Sequence, residues 1–291
     1  MFLSMLSSCG FVLESGSMHQ DSTNKPPNLL DHLDEALPVV KGARLGIVLD
    51  FDGTISELAP TPDESRISAE SAEALESLVR KVTLVAVVSG RAASDLSEKV
   101  GLENVVYVGS HGAESLAGGV RQVSPEAAEY SGRIAAVMDG LRSTADAPGI
   151  YWQNKGLSAA VHFRLSPDPD GVRDSLAEAL GSVPGVDELG VFWGKRVLEL
   201  RAPVGGNKGD ALRKLALDHA LDSAIFVGDD TTDIDALEAM RGLNEAATLR
   251  GLGVAVVSDD SPDGLCKAAD YTLDGVAEVG SFLRWVDGAI D

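Results

Sequence analysis

Asp50-Phe-Asp-Gly-Thr54 follows directly on the apolar run Leu45-Gly-Ile-Val-Leu49, and this junction constrains the chain more than any other feature. A short continuous apolar run suits a strand buried on both faces. Ligand crevices of open α/β sheets lie beyond the carboxyl ends of such strands, and alternation sends Asp50 and Asp52 the same way where the extended geometry persists. Two like charges that close disfavour joint ionisation unless a cation lies between them. Mg2+, a hard ion that seeks oxygen, meets that need. Taken alone, the segment is equally a strand end followed by an Asp-Gly turn.

The remaining pattern favours a sheet edge. Residues 68–81 place Ala72, Leu75, Leu78 and Val79 on one face of a helix. A second β-rich run, 82–88, ends in Ser89-Gly-Arg91, and a third, 105–108, ends in Gly109-Ser-His-Gly112. Short apolar strands alternating with helices predict a parallel sheet whose loops meet at one edge. The character then changes. Residues 125–141 read as a helix, 157–165 as a half-exposed antiparallel strand, 168–180 as a helix, and 186–193 with 196–201 as a strand pair. After Pro203 the first pattern resumes: helix 208–220, strand 224–227 ending in Gly228-Asp-Asp230, helix 232–240, strand 254–257 and helix 276–290. The expected fold is α/β, a Rossmann-like parallel-sheet core formed by residues 44–115 and 203–291, with an inserted α+β domain at 116–202. Residues 1–43 read as a tail, with Met18 a second candidate start.

Charge excludes several partner classes. Lys and Arg total 24 against 45 Asp and Glu, for a net charge of -21. Nucleic acid and anionic membranes are bound by clustered cations that this chain lacks. Any phosphate site must therefore be made positive locally, by a metal and a few basic residues. The apolar stretch 1–13 has no basic flank and is too short to span a bilayer. Cys9 and Cys266 stand in unrelated contexts and fit a reducing compartment, so a cytoplasmic location is expected.

Four segments at strand ends or a helix start, Asp50-Phe-Asp-Gly-Thr54, Ser89-Gly-Arg91, Lys208-Gly209 and Gly228-Asp-Asp-Thr-Thr-Asp233, together resemble the haloacid dehalogenase superfamily of phosphohydrolases. The resemblance implies a catalytic core of that type and a cap made by the inserted domain. It implies Asp50 as nucleophile and Asp52 as the group that protonates the leaving oxygen and then activates water. Thr54 and Ser89 would donate hydrogen bonds to phosphoryl oxygens, and Lys208 would supply a fixed positive charge. Mg2+ would be held by Asp50, the backbone carbonyl of Asp52, and Asp229, with Asp230 and Asp233 orienting Lys208 or metal-bound water.

Further strings narrow the resemblance. Gly109-Ser-His-Gly-Ala-Glu114, Asn154-Lys-Gly-Leu-Ser158 with Val161-His-Phe-Arg164, Leu198-Glu-Leu-Arg-Ala-Pro203 and Asn207-Lys-Gly209 are similar to those of the trehalose-6-phosphate phosphatase family. By that likeness Gly90, Arg91, His111 and Gly112 border the phosphate and the cap interface. Gln153, Lys155, His162, Arg164 and Glu199 line a sugar pocket. Read without the resemblance, His162 and Arg164 are equally the wet face of a strand. The family usually carries Glu where Gln153 stands, and acidic and aromatic residues where Ile234 and Leu237 stand. The implied substrate is a small sugar phosphate, trehalose 6-phosphate, with a trehalose-6-phosphate synthase as functional partner. Phosphatases of sucrose 6-phosphate, glucosylglycerol phosphate or mannosylglycerate phosphate, and a phosphomannomutase-like phosphotransferase, are the alternatives.

Overall fold

A computed structural model describes residues 25–194, 196–204 and 206–290; the stretch 1–13, Cys9 and Met18 lie outside the described residues. The strands are β1 (Leu45–Leu49), β2 (Leu84–Val88), β3 (Val106–Gly109), β4 (Glu114–Ala117), β5 (Val120–Val123), β6 (Tyr151–Asn154), β7 (Ser158–His162), β8 (Gly190–Gly194), β9 (Val197–Arg201), β10 (Ser223–Gly228), β11 (Arg250–Val257) and β12 (Tyr271–Asp274). They form an eight-stranded sheet in the order β12-β11-β10-β1-β2-β3-β4-β5 and a four-stranded sheet in the order β6-β7-β9-β8. The first six strands of the large sheet run parallel, as the alternating pattern predicts, and β4 and β5 add an antiparallel hairpin at one edge.

Every residue of β1 is buried because the sheet is covered on both faces. Ile47 and Leu49 join Val85, Val87, Ile225, Val227 and Val254 under the helices Leu33–Val40, Ala69–Leu78 and Gly275–Ile290. Val48 joins Ala86, Val88, Ala224 and Phe226 under the helices Lys208–Asp218 and Thr231–Glu245. Alternation along each strand thus feeds two cores. Helix starts are set by local chemistry: the Ser68 hydroxyl accepts from the Ser71 amide at 3.2 Å, capping Ala69–Leu78.

The structure corrects several expectations. Residues 25–43 are not a tail, because Leu29, Ala36, Val39 and Val40 are buried in the first core. Strand β5 lies within the segment assigned to the insertion, yet it pairs with β4 across the Gly118-Gly119 turn and continues the large sheet. The predicted helix 125–141 is two helices, Pro125–Ala128 and Ser131–Ala145.

The small sheet has two unlike faces. Ala159, Val161, Leu198 and Leu200 pack on the helices Ser131–Ala145 and Pro169–Leu180. The opposite face presents Gln153, Ala160, Glu199 and Phe192, which lie in register across β6, β7, β9 and β8. Strand β7 is therefore covered on both sides, not half-exposed, and it ends at His162.

Candidate active site

Strand β1 has β10 on one side and β2 on the other, so the strand order reverses there and a crevice opens at the carboxyl ends. Asp50 follows β1, Ser89 follows β2, and Asp229 follows β10. The chain at Asp50 is still sheet-like, its amide bonded to the Val227 carbonyl at 2.9 Å. The turn beyond it uses Gly53 at φ 79°, where a Cβ would stand 2.0 Å from Asp229 Oδ2. Thr54, fully buried, donates to Asp229 Oδ1 at 3.4 Å.

Lys208 opens the helix Lys208–Asp218, whose Asn207 and Asp210 form a reciprocal cap. Its ammonium is buried and donates to Asp50 Oδ1 at 2.6 Å and to Asp233 Oδ1 at 2.7 Å. Asp233 is fixed in turn, accepting from the Asp230 amide at 3.0 Å through Oδ2. Burial disfavours the Lys208 cation, but Asp233 and Asp50 outweigh that and raise its pKa. Burial, opposed by Lys208 and reinforced by Asp233 and Asp229, holds the Asp50 carboxyl well above the usual carboxylate range. Burial and then Asp233 push Asp229 up to about 7.

One lysine is too little positive charge for this set. Asp50, Asp229 and Asp233 each offer a carboxylate oxygen within 4.8 Å of the others, and all three have raised pKa values. A hard divalent cation relieves that repulsion, so the donor set fits Mg2+. Asp230 is exposed and caps the helix Thr231–Glu245.

The Asp52 carboxylate turns away from this cluster. Arg91 Nε donates to its Oδ2 at 2.6 Å and Arg91 Nη2 to its Oδ1 at 2.7 Å, and the Ser65 hydroxyl donates to Oδ1 at 3.1 Å. Arg91 is itself buried over the Phe51 ring, 5.3 Å from the centroid. Ser89 Oγ accepts from the Arg91 amide at 3.3 Å.

The small sheet covers the crevice with its polar face. Lys155 Nζ reaches the Gly90 carbonyl at 3.3 Å and Glu199 Oε1 at 3.1 Å, while Arg201 Nε donates to Glu199 Oε2 at 3.0 Å. His111 Nε2 stands 3.4 Å from the same Oε2 without hydrogen-bond alignment. Burial pushes the Glu199 carboxyl up, but Lys155, backed by Arg201, holds it well below the usual range. Burial lowers His111 to about 4. His111 has a left-handed backbone at φ 55° and Gly112 follows at φ 109°. Gly90 admits the imidazole, since a Cβ there would lie 2.4 Å from His111 Nε2. Gln153 Oε1 pairs with His162 Nε2 at 3.2 Å.

The structure thus gathers Asp50, Thr54, Lys208, Asp229 and Asp233 around one point, with Asp52, Ser89, Gly90, Arg91 and His111 beside it and Gln153, Lys155, His162 and Glu199 above. Arg164 is not brought in; it is exposed on the turn after β7. Ile234 and Leu237 pack in the second core and leave the carboxylates alone. Sequence reasoning gave no role to Ser65, Asp95, Arg201 or Glu114. Asp95 lay four residues from Arg91 on an incipient helix, a readable pairing. Glu114 ends the segment Gly109-Ser-His-Gly-Ala-Glu114; its buried carboxylate accepts from the Ala93 amide at 2.9 Å and from Arg121 Nε at 2.6 Å. Ser65 carries no signal.

Among solved structures, the fold is similar to the C-terminal domain of Candida albicans trehalose-6-phosphate phosphatase, with a TM-score of 0.73, 20% identity, and coverage of 92% of this chain and 99% of that one. A trehalose-6-phosphate phosphatase related protein gives a TM-score of 0.67 at 25% identity, over 84% and 97% of the two chains. The trehalose-phosphate phosphatase of Mycobacterium marinum is 34% identical over 258 residues, 82% of this chain and 60% of that protein. That of Mycolicibacterium paratuberculosis is 32% identical over 254 residues, 84% and 62% of the two. The chain spans about three fifths of the length of these mycobacterial relatives. The family profile described as Trehalose-phosphatase matches residues 48–275, and with that match and these relatives the chain belongs to the trehalose-phosphatase family.

Proposed function

We propose that the protein hydrolyses trehalose 6-phosphate to trehalose and inorganic phosphate, with Mg2+ as cofactor and Asp50 as nucleophile. The observation that carries this reading is the buried Lys208 ammonium, shared between Asp50 at 2.6 Å and Asp233 at 2.7 Å at the crevice of a parallel sheet. A structural salt bridge needs no third carboxylate beside it; a phosphoryl-transfer site does. Asp50, Asp229 and the backbone carbonyl of Asp52 would hold the ion, which when bound supplies charge neutralisation for the phosphoryl oxygens.

Lys208, Thr54 and Ser89 orient the phosphoryl group in front of Asp50. An Asp50 oxygen bonds to phosphorus as the bond from phosphorus to the sugar O6 breaks, and Asp52 gives its proton to that O6. Water then attacks the aspartyl-phosphate, Asp52 takes the water's proton, and the bond from phosphorus to Asp50 breaks. The acyl-phosphate step divides one slow displacement into two easier ones. A disaccharide offers only hydroxyls, and the polar face carrying Gln153, Lys155, His162 and Glu199 supplies hydrogen-bonding partners for them while excluding water. Such a substrate would come from a trehalose-6-phosphate synthase.

The test is phosphate release with Mg2+ across trehalose 6-phosphate, sucrose 6-phosphate, glucosylglycerol phosphate, mannosylglycerate phosphate and mannose 6-phosphate. The expected result is preference for the first. Equal rates on all would end the trehalose assignment, and an isomeric sugar phosphate as product would indicate a mutase.

A further inference from the structure

Arg91 has no hydrogen left for a phosphate. Its guanidinium carries five N–H donors, and all are committed: Nε to Asp52 Oδ2, Nη1 to the Pro62 carbonyl at 2.9 Å and to Asp95 Oδ2 at 3.0 Å, and Nη2 to Asp52 Oδ1 and to Ser65 Oγ at 2.9 Å. Ser65 is equally committed, accepting from Arg91 and donating to Asp52 Oδ1 at 3.1 Å. Both residues are buried, with Ser65 at 3% and Arg91 at 7% exposure, whereas the Asp52 side chain keeps 31%. Among Arg91, Ser65 and Asp52, the last is thus the open member; Asp95, on the other side of the guanidinium, is also partly open, its side chain 32% exposed.

The count of acceptor positions is informative. A carboxylate has about four lone-pair positions; Oδ1 of Asp52 uses two and Oδ2 uses one. The remaining position on Oδ2 is the edge left to meet a leaving oxygen. We propose that Arg91 and Ser65 are positioning residues that fix this edge of Asp52 toward the leaving group, and that Arg91 does not bind the substrate phosphate. The bidentate fork sets the plane of the carboxylate, which a lysine's point charge does not do. Asp95 and the Pro62 carbonyl fix the fork from behind, so the helix Ala93–Val100 and the Pro62–Glu64 turn both support the orientation.

This inference rests on the phosphatase reading, and one comparison separates the two. The wild-type protein, Ser65→Ala and Arg91→Lys are assayed with Mg2+ on trehalose 6-phosphate and on p-nitrophenyl phosphate. The aryl ester leaves as a stabilised anion and has little need of a proton; the sugar alkoxide needs one. Because kcat/KM reports steps up to transfer onto the enzyme, the ratio of kcat/KM for the sugar ester to that for the aryl ester isolates leaving-group protonation. Both variants are expected to lower that ratio about tenfold, a fraction of what a general acid contributes, with thermal melts confirming that each is folded. A ratio within about twofold of wild type in folded Ser65→Ala would overturn the proposal, because loss of structure alone slows both esters alike. Phosphate release by the wild type tests the underlying reading by itself, and its absence from both esters would remove that reading and this one together.

Discussion

Lys155, between β6 and β7, donates to the carbonyl of Gly90 across 3.3 Å, joining the polar face of the small sheet to the loop after β2. The same ammonium pairs with Glu199 at 3.1 Å. Lys155→Ala removes one charged hydrogen bond on each side, and such bonds contribute about 1.5–3 kcal/mol. The expected effect is a KM for trehalose 6-phosphate raised roughly tenfold or more, with kcat changed less. Steady-state kinetics decide it; an unchanged KM would detach Lys155 from the sugar.

Lys208 is the only cation bonded to Asp50 and Asp233 among the described residues. Lys208→Ala leaves those two carboxylates buried without it. Breaking a buried pair from one side costs about 3–5 kcal/mol. A clear drop in melting temperature should accompany loss of phosphate release. A variant as stable as wild type at pH 7 would mean that the carboxylates are neutral there.

His111 makes stability depend on pH. Its folded pKa, about 4 because of burial, lies below the ordinary 6.5. The unfolded chain therefore takes up a proton first as pH falls through 6.5, and stability declines until the folded state protonates near 4. Fully developed, that displacement is worth roughly 3 kcal/mol. His162, also lowered to about 4, acts in the same direction. Asn tolerates the left-handed backbone at position 111, so His111→Asn should flatten the fall in melting temperature between pH 7 and 5. An unaltered pH profile would show that His111 is not buried as a neutral group.

Mg2+ should raise the melting temperature of the wild-type protein. A ligand that binds only the folded state stabilises it by about 2.7 kcal/mol at a hundredfold excess over Kd. Asp229→Asn should abolish that increment as well as activity. Melts with and without Mg2+ need no substrate, and an Asp229→Asn protein that keeps the full increment would place the ion elsewhere.

Five of the six parallel strands were readable from their apolar runs, whereas β12, Tyr271-Thr-Leu-Asp274, has no such run and was missed. Asp50, Ser89 and Asp229 follow apolar strands and Lys208 opens a helix, and it was the joint likeness of the four segments to a known superfamily that singled them out. The short strand β6 gave no pattern, since Tyr151 and Asn154 are exposed at a sheet edge. The helix Leu33–Val40 was hidden by Pro38 in its interior, which ordinarily argues against a helix. Arg164 was misplaced because alternation from His162 holds only while the strand lasts. Arg91 was legible as a cation near the site, but what it holds depends on Ser65, Pro62 and Asp95, three positions brought together only by folding.

The chain passes from Arg201, the end of β9, to Lys208 through residues 202–207 alone. Arg201 bonds to Glu199 on the small sheet, and Lys208 is the buried cation of the core. The tether between the sheet that would read the sugar and the lysine that would neutralise the phosphate is six residues. In the proposed function, contact with the sugar and placement of the phosphate-facing charge would therefore be joined by one short stretch of chain.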